Sequence, residues 1–352
     1  MNLPELGDSL FWNLPRWHGQ SPFYEVYFLK LNAKRSVQDE AIDAWGTSRP
    51  SALWIRYTLT APARASPIGE VWAFIFCADA PARSRGAKWA APISTVRWCK
   101  GFPIRIGDAG ELTHTTASGS LIVDGQPLQW ALQWEPGDSA VGLFPMRWMY
   151  RTRFPRTKYV SPHWNVRVSG TLSWGEHCWQ VREAPAQQAH IWGTRYAERW
   201  IWAHCNAFDK APDAVFEGLE VQVRFGRWLT PPLRMLYLRT AETCFFTHRW
   251  RTLVPQQNVA QQVGSWRFEA IEGDWRLVGE CHAHPDQILG ACYTDPDGSH
   301  RWCHNTKIGR ATLQLAKWSG DHWQIVLSLQ ARDTCAIEWV EPVPDARIER
   351  WV

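Results

Sequence analysis

Period-two alternation runs through almost the whole chain, and period-3.6 patterning is nearly absent. Successive strand side chains point to opposite faces, so short alternating or wholly apolar runs between turn residues specify β-strands. Phe23 to Leu31 is aromatic, β-branched and of strand length, with Glu25, Tyr27 and Leu29 on one face. Ala52 to Thr60 places Trp54, Arg56 and Thr58 together, and Gly69 to Ala78 is apolar enough to be covered on both faces. Val96–Cys99, Ile104–Ile106, Glu111–Thr115, Gly119–Val123 and Leu128–Trp134 follow as short runs. Asp124-Gly125 predicts a hairpin, since both residues tolerate positive φ. The second half repeats the pattern from Leu219–Phe225 to Cys335–Val340, with tight turns at Glu272-Gly273-Asp274 and Asp295-Pro296-Asp297-Gly298. Residues 1–20 read as an arm, Gln38–Trp45 as a turn or short helix, 145–165 as a Pro- and Arg-rich connection, and 181–189 as a loop. The fold class is all-β: two mostly antiparallel domains with few short helices, each long enough to close a barrel. The division falls at residues 1–170 and 171–352.

A chain of 352 residues exceeds the size at which single cores usually split, in agreement with two domains. A net charge of +4 lacks the clustered Lys/Arg of a nucleic-acid binder. The nearest cluster, Arg151, Arg153, Arg156 and Lys158 with Phe154 and Tyr159 interleaved, suits phosphate contact but reads first as a solvated connection. Nine Cys, an odd count with no CxxC pair, argue against a disulfide framework and against a zinc knuckle. The N-terminus carries no signal pattern and no apolar run approaches 18 residues, so the expected location is cytoplasmic. The 25 Trp recur along the whole chain and are suited to lining cores, interfaces or cavities.

The stretch His190 to Asn206 carries the strongest functional hint. Trp200, Trp202 and His204 share one strand face, with Ile201, Ala203 and Cys205 on the other. Two indoles and an imidazole on one face suit the wall of a pocket for a large apolar molecule. The plainer alternative is a buried strand whose His204 is satisfied by a backbone carbonyl. No GxGxxG, P-loop, HExxH, GxSxG or DFG set occurs, which removes nucleotide-dependent, zincin and α/β-hydrolase readings. Cys281, His282, His284, Cys303 and His304 resemble a ligand set. Cys281 faces away from His282 and His284 on a strand, however, so no metal is expected. A buried carboxyl with a raised pKa, set among rings that stabilise a carbocation, can act as a general acid. The candidates for that acid are Glu25, Glu280, Asp295 and Glu198.

Several segments together resemble a known group. Ser21-Pro22-Phe23-Tyr24-Glu25-Val26-Tyr27-Phe28-Leu29-Lys30-Leu31 is followed by Leu53-Trp54-Ile55-Arg56-Tyr57-Thr58-Leu59. Trp192-Gly193 precedes Trp200-Ile201-Trp202-Ala203-His204-Cys205-Asn206, and Tyr293-Thr294-Asp295-Pro296-Asp297-Gly298 precedes Cys303-His304-Asn305. This order is similar to the double-lipocalin group of carotenoid 1,2-hydratase, tocopherol cyclase and fungal decalin-forming Diels–Alderases, over residues 20–340. The resemblance implies two lipocalin-like β-barrels packed together. It also implies cofactor-free hydration, cyclisation or pericyclic isomerisation of a polyene or isoprenoid, of the kind met in secondary metabolism. The candidate catalytic residues are then Glu25, His204 and Asp295. The candidate substrate-binding residues are Tyr24, Tyr27, Trp54, Arg56, Trp192, Arg195, Arg199, Trp200, Trp202, Asn206, Tyr293 and Asn305. Arg56, Arg195 or Arg199 would hold a polar end of the substrate. The expected partner is a hydrophobic small molecule rather than nucleic acid, with a peripheral membrane contact for substrate uptake, in a monomer or homodimer. The alternative is a non-catalytic carrier of a lipid or polyene, and exposed Trp platforms would favour a carbohydrate or nucleic-acid binder.

Overall fold

The computed structural model describes residues 4–32, 50–98, 101–137, 139–255 and 261–352. The turn or helix expected at Gln38–Trp45 lies outside them. The described chain is almost entirely β, with short α-helices at Ser9–Asn13 and Trp250–Leu253. Two large antiparallel sheets each curl into a nearly closed barrel.

In the first sheet the strands run Arg85–Pro92, Ile68–Phe76, Ala52–Ala61, Phe23–Asn32, His177–Gly193, Thr157–Trp174, Gln126–Trp134 and Thr116–Val123, then three short edge strands. Its two edges curl together. Gly69 lets Val96 and Ile106 reach in from the far edge, and a Cβ there would lie 2.7 Å from the Val96 methyl. Trp98, Trp130, Tyr57 and Leu132 fill the interior. The Asp124-Gly125 hairpin forms as read, with φ of +53° and +75°.

The second sheet runs Cys244–Phe246, Leu233–Arg239, Val215–Gln222, Arg199–Cys205, Trp323–Glu341, His300–Trp318, Trp275–His282 and Ser265–Glu272. Arg234 bridges its seam, donating to the Glu269 carbonyl of the opposite edge strand at 3.2 Å. Trp266, Phe216, Phe268, Leu236 and Leu313 fill this interior.

Two expected connections are strands. Thr157–Trp174 and His177–Gly193 form a long hairpin in the first sheet, although residues 145–165 and 181–189 read as connection and loop. Pro162 is accommodated by the register shift between Val160 and His163, whereas Pro185 pairs in register with Arg167. Ala184, Ala186, Ala189, Gln187 and Gln188 are all buried, so the small and amide side chains of 181–189 pack instead of facing water. The first sheet therefore runs on to Gly193 and the second begins at Arg199, whereas the sequence division was drawn at 170/171.

The barrels pack side by side on their outer faces. Phe23–Asn32 is buried along its whole length. Tyr27, Leu29 and Leu31 point into the first barrel, while Tyr24, Val26 and Phe28 point at the second. Arg199–Cys205 does the same from the other side, with Ile201, Ala203 and Cys205 inward and Trp200 and Trp202 toward the partner barrel. The face division expected for this strand holds.

His163 closes one end of the first barrel. Its Nδ1 accepts from the Gly137 amide at 3.1 Å and its Nε2 donates to the His114 carbonyl at 2.8 Å. Burial, with His114 beside it, lowers its pKa to about 3. The unfolded chain takes this proton near pH 6.5 and the folded chain does not, so stability falls as pH drops from 6.5 toward 3. We expect urea-unfolding stability to fall by up to about 1.4 kcal/mol per pH unit from this residue, and His163→Gln to flatten the acid limb.

Candidate active site between the barrels

Both barrel interiors are filled by side chains, so the candidate site residues sort by which face of their strand they occupy. The layer between the barrels takes Tyr24, Trp54, Arg56, Trp200, Trp202, His204, Asn206, Tyr293, Asp295 and Asn305. The remaining five lie elsewhere.

Glu25 and Tyr27 point into the first barrel, and Trp192 packs against its core. Glu25 is fully buried and saturated with donors. Its Oε1 accepts from the Arg16 amide (2.6 Å), its Oε2 from the Trp17 amide (2.9 Å) and Trp98 Nε1 (2.7 Å), and His190 Nε2 lies 2.7 Å from Oε1. His190 reaches on to the Trp12 carbonyl at 2.7 Å. Glu25 thus pins the N-terminal arm across the first barrel, and its lone pairs are engaged in structural bonds instead of facing a substrate. Arg195 and Arg199 are half-exposed and pair loosely with Asp297 at 3.8 Å and Glu341 at 3.5 Å. The other acid candidates are spent as well. Glu280 is a surface partner of Arg267, and Glu198 is held below the usual carboxylate range, chiefly by Arg224.

Three polar groups occupy the layer itself. At one end, Lys30 Nζ donates to the Asn206 side chain (2.8 Å), and Lys307 Nζ donates to Asn305 (2.5 Å) and Glu338 (3.0 Å). Lys307 also lies 5.3 Å from the Trp54 and Trp202 rings. Burial pulls the Lys30 ammonium down to about 8. His204 Nε2 bonds the Trp164 carbonyl at 3.0 Å, the plainer role foreseen for it. Burial beside Lys30 pushes its pKa well below the ordinary value, which leaves a neutral ring whose Nε2–H is held by the Trp164 carbonyl. Its Nδ1 has no partner.

The second group surrounds Glu217, a residue the sequence reading passed over. Its Oε1 accepts from Tyr159, from Gln187 Nε2 (2.7 Å) and from Trp202 Nε1 (3.0 Å), with Ser161 at 3.3 Å. Burial raises its pKa and these donors pull it back. Tyr159, Ser161 and Gln187 belong to the first barrel, while Glu217 and Trp202 belong to the second. The knot therefore ties the two together.

The third group surrounds Asp295. It opens the tight turn of the Leu289–Thr294 and His300–Trp318 hairpin, where Gly298 at φ +87° lets its amide return to the Asp295 carbonyl at 2.8 Å. Asp295 Oδ1 accepts from the Tyr196 amide at 2.9 Å, and Oδ2 is buried without a partner. Burial, with Asp297 beside it, raises its pKa to about 6. Next to it, Tyr196 lies 4.0 Å from Tyr24, 5.7 Å from Trp200 and 6.2 Å from Tyr293 between ring centroids. Arg56 lies over the Tyr293 ring at 3.7 Å and donates to the Tyr196 hydroxyl at 2.9 Å and to Thr58 at 2.9 Å. Among the described residues it has no carboxylate within ion-pair distance. The arrangement is a protonatable carboxyl with one free oxygen, a box of aromatic rings and a buried cation. It can deliver a proton to an apolar molecule and hold a polar atom nearby.

Among the described residues no three His, Cys, Asp or Glu side chains form a group suited to a metal ion. His282 and His284 face solvent, while Cys281 and Cys303 are buried. Tyr196, Glu217, Lys30, Lys307 and Glu338 went unread. The usable signal was a charged residue inside an apolar strand, as in Phe-Leu-Lys-Leu and Val-Phe-Glu-Gly-Leu.

Removing Glu217 leaves buried donors of both barrels unpaired. Glu217→Ala is expected to lose about 3 kcal/mol in urea unfolding, and Glu217→Gln, which keeps an acceptor oxygen, about 1 kcal/mol.

Comparison with known proteins fits this architecture. Residues 152–340, more than half of the chain, match the family model described as tocopherol cyclase-like. An uncharacterised protein of Mycobacterium tuberculosis is 26% identical over 323 residues, covering 89% of this chain and 86% of the relative. A probable chloroplastic tocopherol cyclase of Oryza sativa subsp. japonica is 29% identical over 62 residues, 16% of this chain and 13% of the relative. A solved putative AttH from Nitrosomonas europaea superposes with a TM-score of 0.53 at 12% identity, over 93% of this chain and 95% of that one. Kievitone hydratase from Nectria haematococca does so with 0.50 at 8% identity, over 90% and 88%. At these identities the two solved structures share the fold. The chain belongs to the tocopherol cyclase-like family.

Proposed function

We propose that the chain is a cyclase- or hydratase-type enzyme that adds O–H across an alkene of a hydrophobic, isoprenoid-like substrate between the barrels. One observation carries this reading. Asp295 is a buried carboxyl with a pKa near 6 and an unpartnered oxygen, set among Tyr24, Tyr196, Trp200 and Tyr293. A carrier of lipid has no use for such a group, and buried perturbed carboxyls concentrate at catalytic sites.

In the proposed step, protonated Asp295 gives its proton from Oδ2 to the less substituted alkene carbon. Positive charge forms on the more substituted carbon, where ring faces stabilise it. The oxygen of water (hydration) or of a substrate hydroxyl (cyclisation) attacks that carbon. The oxygen then returns its proton to the Asp295 carboxylate, so the net change is addition of O–H. The Tyr196 amide holds Oδ1 and leaves Oδ2 to carry the proton. Arg56 orients a carbonyl or hydroxyl oxygen of the substrate. The step uses only the proton and the oxygen nucleophile. The family name and the hydratase activity of one solved neighbour support a reaction of this class.

The working form of Asp295 is the protonated one, so kcat falls as pH rises through about 6. With a prenylated hydroquinone as probe, Asp295→Asn is expected to lose about 10²–10⁴-fold in kcat while still quenching Trp fluorescence on binding. Unchanged turnover in Asp295→Asn, with loss in Glu217→Gln, would move the acid to Glu217. Binding by the wild type without turnover of any alkene would favour a carrier.

A further inference from the structure

One surface of the molecule departs from the mixed charge of the rest. Between Ser139 and Gly175 the chain has no Asp or Glu, and there is none between Val221 and Ala241. The fold brings these two acid-free segments together at a single tip. Phe154 stacks on Phe225 with ring centroids 6.1 Å apart. Phe225 pairs with Trp228 in the two-residue strands Arg224–Phe225 and Trp228–Leu229. Phe154 is 45% exposed, Phe225 50% and Trp228 69%. Large aromatic side chains are exposed singly elsewhere, at Trp89 and Trp250 among others, but here three lie together, and a contiguous exposed apolar patch points to a partner.

The cations around the tip say which partner. Arg151, Arg153, Arg156 and Arg227 are all exposed, and none has a carboxylate within ion-pair distance among the described residues. Arg227 lies over the Trp228 ring at 5.2 Å. Aromatic rings that seek the boundary between headgroups and acyl chains, ringed by unpaired arginines, complement an anionic bilayer surface. A nucleic acid would match the arginines but would take the rings as flat platforms for bases. Here two of the three stack on each other.

The position of the tip adds a second argument. Arg156 accepts the Thr194 amide through its carbonyl, and Thr157 bonds both the Tyr24 hydroxyl and the Arg195 carbonyl. Arg224 pairs with Glu198, two residues from Tyr196. The tip therefore stands at the Asp295 end of the layer between the barrels. We infer that Phe154, Phe225 and Trp228, with the surrounding arginines, dock this end of the protein on an anionic membrane. A substrate dissolved in the bilayer then enters at the end where Asp295 and Tyr24 lie. The docking itself does not depend on the proposed chemistry.

Co-sedimentation with lipid vesicles tests it, using the full chain and no substrate. The wild type is expected to bind vesicles of phosphatidylcholine with phosphatidylserine at low salt. It should bind pure phosphatidylcholine far less and release at high salt. Arg153→Ala with Arg227→Ala is expected to weaken binding roughly 25-fold, about fivefold for each arginine. Phe225→Ser with Trp228→Ser should abolish it, with thermal unfolding and turnover of detergent-dispersed substrate unchanged. Absence of wild-type binding to the anionic vesicles, or equal binding by both variants, overturns the inference. So does retention on single-stranded RNA without vesicle binding, or a dimer that dissociates in the Phe225/Trp228 variant. Loss of turnover in Asp295→Asn with vesicle binding intact leaves the docking standing, so the two claims fail separately.

Discussion

Everything in this protein follows from strands with no solvent face. Phe23–Asn32 has side chains buried on both sides, and Arg199–Cys205 is buried from Ile201 onward. A strand of an ordinary barrel turns one face inward and one to water. Here the outward faces of the central strands of each barrel are covered by the other barrel. The covering layer is rich in Tyr, Trp and Phe because rings span the space between two curved sheets. Trp98 and Trp130 fill one interior and Trp266 and Phe268 the other, and the layer between the barrels is a third, ring-rich core, which we propose as the place that takes an apolar ligand.

A buried polar group must be satisfied or it costs the fold stability, and the degree of satisfaction separates the three carboxyls. Glu25 receives a backbone amide on each oxygen and an indole N–H on Oε2. Glu217 receives donors from two barrels on one oxygen. Both are joints: one holds the N-terminal arm and the other holds the barrels together. Asp295 has a single backbone donor and one oxygen with nothing to bind. An oxygen left bare in an apolar layer is a poor structural choice, which supports the proposal that Asp295 carries the proton.

Much of the fold was legible because alternation and turn chemistry are local. The Asp124-Gly125 and Asp295 to Gly298 turns, the faces of Phe23–Asn32 and the split of Trp202 from Ala203 could all be read from neighbouring residues. The long hairpin through Pro162 and Pro185 was not, since its strand character rests on register shifts and on partners far along the chain. The grouping of residues at the candidate site was legible to the same depth. Arg56, Tyr24, Trp200 and Tyr293 stand out as polar or aromatic residues at strand parity and Asp295 as the first residue of a turn, and they meet. Glu25 and Trp192 have the same local look and lie on the other face, because parity gives alternation but not which side docks. Glu217 and Tyr196 acquire their roles only when two barrels touch, and no window of sequence contains that contact.

The central claim is that ligands occupy the layer between the barrels and not either interior. Photoaffinity labelling tests it most directly. A prenylated hydroquinone carrying a diazirine on its tail is bound and photolysed, and the labelled residues are then mapped by mass spectrometry. The account predicts adducts on Tyr24 to Phe28, Trp200 to His204 and Tyr293 to Asp295, which excess unlabelled ligand suppresses. Suppressible adducts on Leu121 to Leu132, inside the first barrel, or on Trp266 to Ala270, inside the second, would contradict it.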